Sequence, residues 1–171
     1  MTDRREAKIN EEFVKNMDKM VDLEEFLIKD FVTEIDSSLN SWMLKIRGAV
    51  KTNPEIEQLK KTRELLGNVQ EEMGEGHTEL DRKQKLTIAA KSTTSLSAVN
   101  DTLEQFDRMR LMHGWLRKRK AAGRKMPQTQ GEAQHLLQAD IKSGDPNKID
   151  KAWLMKQKNE YKRKVMKGRR S

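Results

Sequence analysis

Basic side chains that could bind phosphate groups are concentrated in two parts of the sequence. Residues 107–126, the first basic block, contain eight Lys and Arg against one acid; residues 146–171, the second basic block, contain ten against two. Because the net charge of the whole chain is +8, these two blocks carry more than all of it. Lys and Arg bind polyanions by neutralising phosphates and releasing counterions. The charge distribution therefore predicts two separate phosphate-binding surfaces.

Both blocks also contain aromatic residues that could stack on exposed bases, and these stacking candidates are Trp115, Trp153 and Tyr161. Arginine adds planar, bidentate contacts to phosphate and can itself stack on a base. The predicted nucleic-acid contacts are Arg108, Arg110, Arg117, Lys118, Arg119, Lys120, Arg124, Lys125, Lys156, Lys158, Lys162, Arg163, Lys164, Lys167, Arg169 and Arg170. RNA is favoured over DNA because no helix-turn-helix or zinc-finger pattern is present.

Residues that could carry out catalysis are not arranged in any recognisable motif. His77, His113 and His135 are far apart and have no partner at helical spacing, so they do not form a metal signature. The sequence has no cysteine, which excludes a thiolate nucleophile and Cys-ligated zinc. It also has no Walker motif, no glycine-rich dinucleotide turn and no nucleophile elbow. We therefore expect a protein that is not an enzyme and uses no cofactor, metal or small-molecule substrate.

The segments that must position the two basic blocks have the apolar spacing of helices. In the first 51 residues, apolar positions recur at steps of three or four, which is typical of one face of a helix. A capping-box spacing between Asp22 and Glu25 predicts a break near residues 21–22, giving helices at about 3–20 and 23–51 or one kinked helix. The apolar residues of this stripe are Ile9, Phe13, Met17, Met20, Leu23, Leu27, Phe31, Ile35, Leu39, Trp42, Ile46 and Val50.

Three more helices are predicted at about 54–73, 79–91 and 96–120. Asn53 and Pro54 have the residue types of an N-cap and a first helical position, and Gly74 follows the last apolar residue. The polar run 92–95 separates the next two helices. Thr129 and Glu132 predict a short helix through Ile141. No segment alternates with period two, so no strand is expected.

This pattern predicts an all-α protein, built as an extended helical bundle or as long helical hairpins with a basic C-terminal helix. Hydrophobic residues make up 35% of the chain and charged residues 36%, which suits exposed helices that each bury one stripe. The predicted organisation is a helical domain at 1–122, a loop and short helix at 123–145, and a basic helix and tail at 146–171.

One stretch resembles a known family. Residues 88–112 contain Ile88-Ala89-Ala90, Ser92, Thr94-Ser95, Val99-Asn100, Leu103, Gln105-Phe106, Met109-Arg110 and Met112. The pattern resembles the RNA-binding core of the methionine-rich domain of the signal recognition particle GTPase, whose GTPase part has no counterpart here. Lys91 and Thr93 stand where the family has glycines in its tight turn. The resemblance implies an all-helical domain that binds RNA.

The cell compartment is indicated only indirectly. The chain has no cysteine, Met1–Lys15 is strongly charged, and no apolar run approaches the roughly 18 residues of a membrane span. We expect an intracellular protein in a reducing compartment, cytoplasm or nucleus, with an organelle left open, and no transmembrane segment.

The leading hypothesis is a non-enzymatic RNA- or ribonucleoprotein-binding helical protein. The alternative is a helical scaffold or adaptor subunit, whose N-terminal stripe packs against partner helices as in a coiled coil while its basic end docks on an acidic protein. An anionic membrane surface is a third possible partner of the basic helices.

Overall fold

The structure, a computed structural model, describes residues 2–45, 54–74, 79–152, 154–155 and 159. No β-strand occurs in these ranges, so the predicted all-α class is confirmed for them. The predicted extended bundle and the basic C-terminal helix stay predictions, because residues from 160 onward lie outside the described part. The helices within the described residues are α1 (Thr2–Asp22), α2 (Ile28–Lys45), α3 (Pro54–Met73), α4 (Arg82–Lys91), α5 (Leu96–Ala121) and α6 (Gln130–Ser143).

The chain forms two compact units. The terminal unit combines Met1–Glu24 with Leu111–Ser171, and the central unit is Glu25–Arg110. Helix α5 therefore contributes its first part to the central unit and its last turns to the terminal unit. The predicted division of the chain into 1–122, 123–145 and 146–171 follows its composition. As a division into domains it stays a prediction.

The core of the central unit lies between α2, α3, α4 and the first part of α5. The ring of Phe106 lies 6.0 Å from that of Phe26 and 5.9 Å from that of Phe31, centroid to centroid. Offset aromatic contacts at these distances add to the stabilisation from buried area. The fully buried aliphatic residues around this cluster are Leu66, Val69, Ile88 and Val99.

The core of the terminal unit joins segments that are far apart in the sequence. Its buried residues come from α1, from the last turns of α5 and from the turn after α6, and they are Met17, Val21, Trp115, Leu116 and Ile149. Helix α6 adds partly buried Leu136, Leu137 and Ile141. Burial of this apolar surface fixes the end of α5 against α1 and α6. The end of α5 carries most of the first basic block.

Most helix ends follow the chemistry that the sequence indicated. Pro54 is the first residue of α3, and Gly74 after its last residue has a φ of +66°. Thr129 is the N-cap of α6, where its hydroxyl accepts a 3.1 Å hydrogen bond from the Glu132 amide. Asn53 lies outside the described residues.

The predicted break near residues 21–22 is confirmed, because α1 ends at Asp22, but its capping differs from the prediction. Asp22 is the last residue of α1 and pairs with Lys120 at 3.1 Å, so the capping box predicted for Asp22 and Glu25 is wrong. Helix α2 begins at Ile28, and Asp30 Oδ2 accepts a 2.8 Å hydrogen bond from the Leu27 amide. The carboxylate of Asp30, the third residue of α2, thus accepts from the backbone amide of Leu27, which precedes the helix; this contact is one half of a capping box.

The turn between α4 and α5 places a β-branched residue in a glycine-type conformation. Thr93 has a φ of +49°, and the Thr94 amide donates to the Ala89 carbonyl at 2.9 Å. This is the hydrogen-bond pattern of a Schellman ending, in which glycine is the usual residue at positive φ. Ser95 then caps α5 by accepting from the Ala98 amide at 3.1 Å.

No helix in the described part of the chain is both long enough and apolar enough to cross a membrane.

Candidate nucleic-acid interface

The last turn of α5 carries the run Arg117-Lys118-Arg119-Lys120. With 3.6 residues per turn, four consecutive residues pass once around a helix, so one of them must face the interior. Arg117 and Lys120 are exposed and Lys118 is partly exposed, whereas the Arg119 side chain is only 4% exposed. The four consecutive cations are therefore not equivalent: three are at the surface and one belongs to the core.

Arg119 is held by three kinds of contact. Its Nη1 donates to Asp140 Oδ2 at 2.7 Å, and its Nε and Nη2 donate to the Lys125 carbonyl at 3.2 and 3.0 Å. The guanidinium also lies 5.1 Å from the centre of the Trp115 ring, within the range of a cation–π interaction. A buried charge needs this degree of satisfaction, because desolvation would otherwise destabilise the fold.

Asp140 is the centre of the cluster. Its Oδ2 also accepts a 2.8 Å hydrogen bond from the Trp115 indole, and its Oδ1 accepts one of 2.9 Å from Arg124 Nη2. Burial raises the pKa of Asp140, but the hydrogen bonds from Arg124 and Trp115 and the nearby guanidinium charges outweigh burial and lower the pKa to about 2. Asp140 is therefore a carboxylate at every physiological pH.

The loop after α5 returns the chain toward this carboxylate. Gly123 has a φ of +64°, and the Arg124 amide donates to the Arg119 carbonyl at 2.9 Å. The hydrogen bond to Asp140 raises the pKa of Arg124 above its ordinary value, although desolvation opposes the increase. The Arg124 side chain stays 29% exposed, so the same cation contacts both the buried carboxylate and solvent.

A third basic side chain, Lys148, approaches Asp140 from the turn that follows α6. Lys148 Nζ lies 3.9 Å from Asp140 Oδ1, and its side chain is 36% exposed. The neighbouring Ile149 is fully buried in the terminal core and anchors the turn. Lys118 Nζ donates to the Pro146 carbonyl at 3.1 Å, so the end of α5 and this turn are also joined directly.

The remaining cations of the first basic block in the terminal unit have two kinds of partner. Lys120 pairs with Asp22 at 3.1 Å, and Lys125 pairs with Glu132 at 2.7 Å, both at the surface. Hydrogen bonds from Lys125 and from the Gln128 amide lower the pKa of Glu132. By contrast, Arg117 donates to the Glu24 carbonyl, a neutral acceptor that leaves its charge uncompensated.

Two predicted contact residues lie in the central unit. Arg108 is exposed and pairs with Glu104 at 2.7 Å, one helical turn earlier. Arg110 lies over the Phe106 ring at 5.8 Å. The structure does not place these two residues within the cluster that the terminal unit forms around Asp140.

The burial of Trp115 and Arg119 corrects part of the sequence prediction. Trp115 is 1% exposed and its indole N–H is used by Asp140, so the ring offers no face on which a base could stack. Arg119 likewise has no exposed guanidinium edge for a phosphate. Both side chains stabilise the fold and position their neighbours.

Most of the second basic block lies outside the described residues. Lys148 and Lys151 are described, partly exposed and exposed respectively. The predictions for the other members are unaffected by the structure, and these are Trp153, Lys156, Lys158, Tyr161, Lys162, Arg163, Lys164, Lys167, Arg169 and Arg170.

Sequence reasoning missed Asp140, although one signal was available. Asp140 lies four residues after Leu136 and three after Leu137, on the apolar face of α6. Arg119 lies four residues after Trp115, on the apolar face of α5. A lone acid and a lone base on two otherwise apolar helix faces indicate a buried ion pair, since each would be costly alone.

The terminal unit also has an open groove of about 670 Å³ along α1. Its lining is mixed in charge and includes Glu11, Lys15, Asp18 and Lys19, with Gln128 and Thr129 from the loop before α6. Over the described ranges, no three His, Asp or Glu side chains are grouped as metal ligands.

Comparison of the chain with protein-family models, with curated proteins and with solved structures gives no match.

Proposed function

We propose that this protein is a non-enzymatic RNA-binding protein, and that the surface around the end of α5 contacts the phosphate backbone. The observation that carries the proposal is the division of the basic run. Arg119 is fixed inside by Asp140, while Arg117, Lys118 and Lys120 face outward from the same turn. A rigid arrangement of cations loses little side-chain entropy on binding, which favours affinity.

The electrostatics support a polyanion as the partner. Arg117 and Lys118 have carbonyl oxygens as partners, which satisfy donors without cancelling charge. Lys120 and Lys125 pair with carboxylates at the surface, and such pairs are weak enough to exchange for phosphate. Each phosphate that is neutralised releases counterions, so several cations acting together give useful affinity at moderate salt.

RNA is preferred to DNA on two grounds. The sequence contains no helix-turn-helix or zinc-finger pattern of the kind that reads a major groove. In addition, residues 88–112, which form the end of α4, the following turn and part of α5, resemble an RNA-binding core of the signal recognition particle family. That resemblance stays a prediction, and the basic surface of the terminal unit supports the proposal without it.

The second basic block extends the proposed contact. Lys148 lies beside Asp140, and Lys151 is exposed three residues later. The basic residues from Lys156 to Arg170 continue the same charge along the chain. We assign them to phosphate contacts of the same kind.

The test is equilibrium binding of a fluorescently labelled, mixed-sequence RNA. The variant Arg117→Gln/Lys118→Gln/Lys120→Gln removes three surface cations and leaves Arg119 in place. We expect its affinity to fall by about tenfold or more at moderate salt. The matched control, Lys60→Gln/Lys61→Gln/Lys83→Gln, removes the same charge from exposed positions of the central unit. Equal losses in the two variants would mean that net charge, not this surface, determines binding.

A helical adaptor is the second candidate, and the groove along α1 favours it. The groove is bordered by both acidic and basic side chains, which suits a partner segment of mixed charge. Recovery of the same protein partners from lysate before and after nuclease treatment would support this function over RNA binding.

A further inference from the structure

We infer that the cluster around Asp140 is a binding site for a single phosphate group, formed by Arg124 and Lys148 with Lys118 beside them. This inference rests on the proposed function and gives it a specific site. Among the residues that the structure describes, no exposed aromatic ring belongs to this cluster, so the ligand group it selects is the phosphate of the nucleic-acid backbone.

The charges of the cluster do not balance. Asp140 is within 4 Å of Arg119, Arg124 and Lys148, and Lys118 is held at the Pro146 carbonyl two residues before Lys148. Asp145 is close enough to act on the charge of Arg124, and Glu132, which pairs with Lys125, is close enough to interact with the charge of Arg119. With Lys125 included, five cations face three carboxylates, and the excess of positive charge is concentrated in this part of the terminal unit.

Asp140 accepts three hydrogen bonds, and donors of the surrounding cations remain without a bond to it. Its Oδ2 accepts from Trp115 and Arg119, and its Oδ1 accepts from Arg124. Lys148 Nζ, at 3.9 Å from Oδ1, is beyond hydrogen-bond distance of that oxygen. Its ammonium group is thus attracted to the carboxylate without donating to it. Arg124 uses one N–H on Asp140, and a guanidinium has five.

The exposure of these donors suits an incoming anion. The side chains of Arg124 and Lys148 are 29% and 36% exposed, whereas Arg119 beneath them is 4% exposed. Partial burial strengthens an electrostatic contact because water screens it less. The nitrogens of Arg124 and Lys148 both lie within 4 Å of one oxygen, so one phosphate group can receive hydrogen bonds from both.

Asp140 is the residue that brings the cations of this phosphate-binding site together. Without a carboxylate among them, the cations would repel one another and separate. The carboxylate holds them together, but it takes only one N–H of Arg124 and no hydrogen bond from Lys148, so donors of both remain for phosphate. Ile149, fully buried next to Lys148, fixes the backbone of the turn that presents the lysine. The phosphate-binding site is therefore preorganised before the ligand binds.

The first experiment compares Lys148→Gln with Lys142→Gln in the full chain, using the same labelled RNA. Lys142 is exposed on α6, lies outside both basic blocks and provides the same change of charge. We expect Lys148→Gln to weaken RNA binding by about tenfold and to reduce the salt slope by about one. Lys142→Gln is expected to change affinity clearly less. Equal affinities for Lys148→Gln and the unmodified chain would overturn the inference and leave the proposed function intact.

The second experiment uses pyrophosphate as the probe and does not depend on RNA. Titration is followed through the NMR signal of the Arg124 Nε–H group, with the amide of Lys60 in the central unit as reference. We expect a saturable shift at Arg124 that is lost in Lys148→Gln. Absence of any shift at Arg124 would contradict the inference. A saturable shift in a chain that does not bind RNA would support the phosphate-binding site and overturn the proposed function.

Discussion

Arg119 Nη1 donates a 2.7 Å hydrogen bond to Asp140 Oδ2, and the two side chains are only 4% and 5% exposed. The pair joins the last turn of α5 to the end of α6. It also determines which cations of the first basic block remain at the surface. The stability of the terminal unit and its proposed contact with phosphate thus depend on the same carboxylate.

Replacement of Asp140 by asparagine should strongly destabilise the protein. The substitution leaves the Arg119 charge buried without a counterion, and we expect the free energy of unfolding to fall by about 3–5 kcal/mol. Asp22→Asn is the control, because the pair of Asp22 with Lys120 is exposed and is expected to contribute about 0–1 kcal/mol. Urea denaturation measures both, and similar losses in the two variants would contradict the assignment of Asp140 to the core.

The buried carboxylate predicts a loss of stability in acid. The pKa of Asp140 is about 2 in the folded protein against an ordinary 3.8. Because the folded-state pKa is the lower one, Asp140 contributes stability above about pH 4, and this contribution of about 2 kcal/mol is lost as the pH falls toward 2. A ¹³C NMR titration of the Asp140 carboxyl group measures the pKa directly. A value at or above the ordinary one would refute the prediction.

The turn that carries Lys148 is expected to depend on Ile149. This side chain is fully buried, and Ile149→Ala should lower the free energy of unfolding by about 2–5 kcal/mol. Ile9→Ala is the matched control, because Ile9 is 58% exposed and its loss should change stability by less than about 0.5 kcal/mol. Thermal or urea unfolding distinguishes the two cases, and an unchanged stability of Ile149→Ala would argue against an anchored turn.

Thr93 should be replaceable by glycine with a gain in stability. Its φ of +49° is strained for a β-branched residue, and we expect Thr93→Gly to stabilise the protein by about 1 kcal/mol. The reverse substitution, Gly123→Thr, introduces the same residue type at a φ of +64° and should destabilise by a similar amount. A stability loss in Thr93→Gly, measured by urea unfolding, would show that this turn is not strained.

The helices could be predicted from the sequence because their signals are local. Periodic apolar positions, Pro54 and the Thr129 cap each act within one or two turns, so the sequence alone placed α3, α5 and α6 closely. The predicted start of α2, at about residue 23, is too early, because Asp22 and Glu25 have the spacing of a capping box although the helix begins at Ile28. The structure uses Asp30 instead of Asp22, and local spacing does not distinguish them.

The candidate site was only half predictable because its decisive contacts are long-range. A count of charges identifies the cations at 117–125, but it does not tell which of them faces inward. That is determined by Asp140, which is 21 residues from Arg119 along the chain. The inward turn of Trp115 has the same origin, since its indole N–H donates to that carboxylate at 2.8 Å. Composition also hides Asp140, which lies in a stretch of mild negative charge.

The most direct test of phosphate binding by the α5 end is the salt dependence of RNA affinity for the unmodified chain and for Arg117→Gln/Lys118→Gln/Lys120→Gln. The logarithm of the association constant, plotted against the logarithm of salt concentration between about 50 and 200 mM, should be linear and steep. The variant should bind more weakly and its slope should be shallower by about two to three, since each lost phosphate contact removes about 0.7–0.9. Affinity that does not change with salt, or a variant whose slope equals that of the unmodified chain, would contradict phosphate binding at this surface.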